Sequence, residues 1–163
     1  MLCAMTMSGE RRLLRHALAT IAYRGGKAVR NAPATFAASK TGEPSRSAVE
    51  LLAHIGDLFD WALSMAKDAE VWHTAKPLPW DEEVARFHAS LAGFDDFLAS
   101  DAELRAPVER LFQGPVADAL THVGQIAMMR RMSGSPIPGE NYFVADIETG
   151  RVGPDQAPPR REF

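Results

Sequence analysis

The chain carries a single cysteine, Cys3, in 163 residues. No intrachain disulfide can form, so a reducing, cytoplasmic setting is expected. Nothing in the opening MLCAMTMSGE marks Cys3 as a nucleophile. Long apolar runs are missing too: none approaches the roughly 20 residues that span a bilayer. The same opening has no basic start and no sustained apolar core, so an export signal is not expected. Aromatics are scarce, at 8%, and the apolar residues recur at three and four positions, which favours helices over a β-sandwich. A net charge of −3 and a pI near 5.9 leave no whole-molecule attraction to nucleic acid. Glycine-rich phosphate loops, G-x-S-x-G and paired-cysteine zinc spacings are absent, as are internal repeats, heptads and low-complexity tracts.

What remains has the composition of a folded domain, with 46% hydrophobic and 24% charged residues. One domain of this length buries roughly 70% of its unfolded surface. The chain divides into a flexible start over 1–8, a helical body over 9–132 and an extended arm over 133–163. Helix one is expected from Glu10 to Arg30, with Leu13, Leu14, Ala17, Leu18, Ile21, Ala22 and Ala28 inside. Arg12, Arg15, His16, Tyr23 and Lys27 fall opposite, as a solvated basic face. Gly25-Gly26 weakens that helix by roughly 1 kcal/mol per glycine relative to alanine and invites a bend or an early end.

A loop over 31–46 follows, with an apolar knuckle at Phe36. Ser47-Ala-Val-Glu50 has the pattern of a capping box and opens helix two, which runs to about Lys67. Pro79-Trp80-Asp81-Glu82-Glu83 opens helix three, with Asp81 as its cap and Val84, Phe87, Leu91, Phe94 and Leu98 as its core stripe. Ser100 to Gln113 breaks the pattern around Pro107. Gly114-Pro115 reads as the start of helix four, and Ser133-Gly134 before Pro136 as its stop. Five of the eleven prolines fall in 133–163, where no helix can continue. Tyr142, Phe143, Val144 and Ile147 are nevertheless too apolar for a freely disordered tail, so this arm should wrap across the bundle and bring Glu140-Asn141-Tyr142-Phe143 near its open end. The final QAPPRREF is expected to be loose.

Two histidines lie where solvent should not reach them. His54 falls inside the apolar arc of helix two, between Leu58 and Trp61, while Glu50, Asp57, Asp60 and Ser64 face away. An unpartnered buried imidazole costs about 1–3 kcal/mol, so His54 needs a partner. On helix four, Asp118, His122 and Gln125 form a polar stripe beside the apolar one, with His122 roughly 100° from the centre of the buried face. His88, on the flank of helix three near Asp95, is a weaker candidate for the surroundings of a site.

The string Asp118-x-x-x-His122-Val-Gly124-Gln125-Ile126, followed by Arg130-Arg131, resembles a motif of the DinB-like (DinB/YfiT) superfamily. Those proteins carry His-x-x-x-His-x-Gly-Gln-hydrophobic on a late helix, and a third histidine on an earlier one, matched by His54 in LLAHIGDL. The resemblance covers about residues 9–132. It implies an all-α, four-helix bundle of DinB/YfiT type, here with a long irregular C-terminal arm. One position departs: the family's first late-helix histidine is Asp118 here. The ligand set then becomes His54, Asp118 and His122, two imidazoles and a carboxylate. Zinc or nickel is what the resemblance implies; the donor set also suits iron or manganese.

Members of that superfamily include S-transferases and hydrolases that use low-molecular-weight thiols. The implied chemistry is activation of a small thiol or water on a divalent metal, with a small-molecule substrate. Asp57, His88 and Gln125 are the nearest groups for proton transfer or orientation. Asp118 keeps a second class open, a non-catalytic binding or stress protein with a degenerate site. There Asp118 would pair with Arg130 or Arg131, and both histidines would be hydrogen-bonded core residues. A homodimer built on helix faces with Trp61 or Phe97 is the third expectation.

Overall fold

Four apolar stripes need covering, and four long helices cover them against one another. The structure, a computed structural model, describes residues 8–163. Cys3 and the start expected over 1–8, Ser8 excepted, lie outside the described residues. Helices α1 (Gly9–Val29), α2 (Ala48–Ala66) and α3 (Trp80–Ala99) are followed by a short α4 (Val108–Leu111), a π turn (Phe112–Val116) and α5 (Ala117–Met132). Among the described residues there is no strand, only an isolated antiparallel bridge between Glu140 and Glu162. No described helix is long and apolar enough to cross a membrane.

Helices α1 and α2 each pack on both α3 and α5. Leu18 and Ile21 of α1, Ile55 and Phe59 of α2, Phe87 and Phe94 of α3, and Ala119 and Ile126 of α5 meet in one core. Two of the expected signals act locally as their chemistry requires. The Ser47 hydroxyl accepts from the Glu50 N–H, and the Glu50 carboxylate accepts from the Ser47 N–H at 2.7 Å, which starts α2. Gly134 takes φ +78° directly after α5, a conformation that side chains disfavour.

Three element boundaries or faces differ from the sequence expectation. Helix α3 begins at Trp80 rather than after Asp81; its first turn has no side-chain cap. Trp80 is held instead by an edge-on contact with the buried Phe36, 5.4 Å between centroids. Gly114-Pro115 does not start α5. The helical path runs from Val108, and Pro115 sits inside the π turn. Proline lacks the N–H and crowds the carbonyl four residues back, and a turn widened to five residues relieves that clash.

The largest correction concerns α1. Leu13, assigned to the core, is 70% exposed, while Tyr23, assigned to solvent, is buried. The reason is residues 133–163, which lie on the supposedly solvated face. Glu140 is buried there, accepting from the Tyr23 hydroxyl at 2.6 Å and from Lys27 at 2.7 Å. Arg24 stacks over the Tyr142 ring at 4.4 Å, and Arg15 is paired with Asp95 of α3. The basic face is thus a seam, and Glu140 serves α1. The chain end is tied as well: Glu162 accepts from Lys27, and the Phe163 N–H donates to Gly139.

Gly25-Gly26 neither bends nor ends α1. A Cβ on Gly25 would lie 2.6 Å from the tip of the buried Phe87 ring, so this glycine leaves room for the Phe87 side chain of α3. A Cβ on Gly26 would meet only ordinary contacts, the nearest at 3.7 Å. Gly26→Ala should therefore stabilise the fold by up to about 1 kcal/mol through helix propensity. Gly25→Ala should destabilise it by about 1 kcal/mol net, because overpacking costs about 1–3 kcal/mol. Urea unfolding of the two variants checks the opposite signs.

Candidate metal centre

Helices α2 and α5 are neighbours, and their shared seam brings His54 and His122 together. The two rings stand edge to face with centroids 4.9 Å apart. Asp118, one turn before His122, spans them: one oxygen lies 3.3 Å from His122 Nε2 and the other 3.7 Å from His54 Nε2. One ligand atom from each of the three residues lies within 4.8 Å of the others. The side chains of His54 and His122 are 15% and 11% exposed, against 46% for Asp118. The cluster is therefore walled on the imidazole side and open on the carboxylate side.

Gln125 orients this arrangement. Its Oε1 lies 2.7 Å from His122 Nδ1, and an amide oxygen can only accept, so the ring proton sits on Nδ1. That leaves Nε2 facing Asp118 and the shared space. His54 is held otherwise. Trp72 presents its ring edge-on at 5.6 Å, and Trp61 packs in turn on Trp72. Burial lowers the His54 pKa below its ordinary value; the nearby charge of Arg46 and the His122 ring add to this, against the pull of Asp118 and Asp57. His54 is thereby kept in the neutral form that binds metals.

Two cavities open on the cluster. The larger, of about 360 Å³, has His122 and Gln125 in its wall together with Ser45, Arg46, Leu51 and Met129. The smaller, of about 160 Å³, is lined by His54, Arg46, Glu50, Asp57 and residues of the 68–79 connection.

The other candidates are placed differently. Asp57 does not face solvent but is buried. Its two oxygens accept from Arg86 at 2.6 Å and from the Ala75 N–H at 3.2 Å, so it anchors the connection that carries Trp72. Arg86 also bonds Asp60 and the Ala53 carbonyl. Nothing in α2 alone revealed this, because the partner lies on α3. His88 is not brought to the cluster: it is buried against residues 133–163, with Nδ1 3.0 Å from the Val152 carbonyl. The alternative pairing of Asp118 with Arg130, which the non-catalytic class would use, is not seen. Arg130 donates instead to the carbonyls of Ala28, Arg30 and Ser135, closing the end of α1. Trp61 and Phe97 are both partly covered within the chain. The sequence assigns neither Arg46 nor Trp72 to a site, since each lies in a segment without periodicity.

No family model, no curated protein and no solved structure matches the chain.

His88 yields a prediction about pH. Burial lowers its pKa below the ordinary 6.5, helped by the charge of Arg30 and opposed by the Val152 carbonyl. The unfolded chain then binds the proton more readily than the folded one. Stability should be complete above about pH 6.5 and should fall as pH drops through the lower folded pKa. The slope of denaturation midpoint against pH between 7 and 5 should be shallower in His88→Gln than in the parent chain.

Proposed function

We propose that this chain is a divalent-metal-dependent enzyme of the DinB-like type, with His54, Asp118 and His122 holding the ion. The observation that carries the reading is the convergence of two imidazoles and a carboxylate, from two helices, inside a 4.8 Å cluster. Donors on one tetrahedral zinc lie about 3.4 Å apart, given metal–nitrogen distances near 2.1 Å. The cluster spans up to 4.8 Å, and the Asp118 oxygens already lie 3.3 and 3.7 Å from the two Nε2 atoms. Three protein ligands leave positions for a small molecule, which is the pattern of catalytic rather than structural sites. Zinc or nickel is favoured, and iron or manganese suits the same donors.

A divalent ion there supplies Lewis acidity, which draws the pKa of a water or small thiol toward neutrality. The chain's own residues supply orientation. Gln125 fixes the tautomer of His122, and the Trp61–Trp72 pair shields His54 from bulk water. The larger cavity offers space beside His122 and Gln125 for a small substrate, which suits transfer to a low-molecular-weight thiol or hydrolysis. A cytoplasmic setting fits a chain with one cysteine.

The second reading, a non-catalytic binding protein with a degenerate site, draws on the exposure of Asp118. Elemental analysis of protein purified without an affinity tag separates the two. The metalloenzyme reading expects about one divalent ion per chain, lost in His122→Ala and reduced by a smaller factor in Asp118→Ala. Asp118→His should tighten zinc or nickel binding. Metal content that is equal in the parent chain and in His122→Ala would sink the reading. Gln125→Ala, which frees the His122 ring without removing a ligand, should weaken metal affinity by about 10- to 100-fold, as competition with a chelating dye would measure.

A further inference from the structure

Arg46 ends the loop before α2 and is exposed. It lines both cavities that open on the cluster, the one beside His122 and the one beside His54. Among the described residues its guanidinium makes no hydrogen bond or ion pair. The carboxylates of the smaller cavity are occupied elsewhere. Glu50 accepts from the Ser47 N–H and hydroxyl at 2.7 and 2.8 Å, and Asp57 is held by Arg86 and Ala75.

Charge completes the argument. A divalent ion held by two imidazoles and one carboxylate would keep one positive charge uncompensated, and Arg46 adds a second in the wall of the larger cavity, which no carboxylate lines, whereas Glu50 and Asp57 put negative charge in the smaller one. One small molecule with two negative groups matches both. Leu51 and Met129 in the larger cavity suit a short apolar body between them. Arginine's planar fork recognises a carboxylate through two parallel hydrogen bonds, which a water-exposed lysine does not reproduce.

We propose that Arg46 determines specificity at this site, clamping one carboxylate of a small dianionic ligand whose other acidic group faces the His54–Asp118–His122 cluster. The proposal rests on the metal reading, and its test reports on the two separately. Zinc-loaded full-length protein is titrated with malonate, succinate, glutarate and acetate by calorimetry, and zinc content is measured on the same samples. The best diacid should bind at least about tenfold more tightly than acetate, the advantage of one charge-assisted pair. Arg46→Ala should erase that preference with zinc content unchanged, and Arg46→Lys should keep part of it. Zinc-replete protein whose diacid preference survives Arg46→Ala, or shows none to begin with, overturns the clamp alone. A chain that takes up no zinc overturns the clamp and the metal centre together.

Discussion

Two imidazoles buried side by side on facing helices are a costly arrangement unless their polar atoms are used. Each ring brings a donor and an acceptor into a region that water largely leaves. Along the α2–α5 seam that cost is met residue by residue. Gln125 takes the proton of His122, Asp118 reaches both Nε2 atoms, and burial with a nearby arginine keeps His54 neutral. The outcome is two imidazole Nε2 atoms beside one carboxylate. Helix packing, tautomer and charge here are parts of one solution.

The surroundings of the cluster depend on anchors that lie outside it. Asp57 fastens the 68–79 connection through the Ala75 N–H and fastens α3 through Arg86. Trp72, carried on that connection, then meets His54 edge-on. Asp57 is thus connected to the site through positions rather than through protons. Arg46 stands at the other extreme, an exposed cation at the mouth of two cavities.

The far side of the fold answers a different problem. The basic residues of α1 would form a like-charged stripe if left to solvent. Residues 133–163 lay Glu140, Glu162 and Tyr142 along it, and Asp95 of α3 takes Arg15. Arg130 meanwhile donates to carbonyls at the end of α1, so the C-terminus of one helix is closed by a side chain from another. Irregular backbone with five prolines can do this because its polar groups find partners on a helical surface already in place.

Periodicity, capping chemistry and donor type act over a few residues, and those features were legible in the chain itself. The capping box at Ser47, the stop at Gly134 and the helical class followed from residue types at short spacing, whereas the grouping of His54 with Asp118 and His122 came from a resemblance rather than from spacing. Tertiary structure alone decided which side of α1 is covered, where Asp57 and His88 direct their polar atoms, and that Arg46 and Trp72 border the cluster. Each of those outcomes depends on a partner dozens of residues away, and spacing along one helix has no information about what will be packed against it. Pro115 marks the boundary between the two. Its missing N–H could be read from the sequence, but whether the chain would end a helix there or widen one turn was settled by the core that α4 and α5 share.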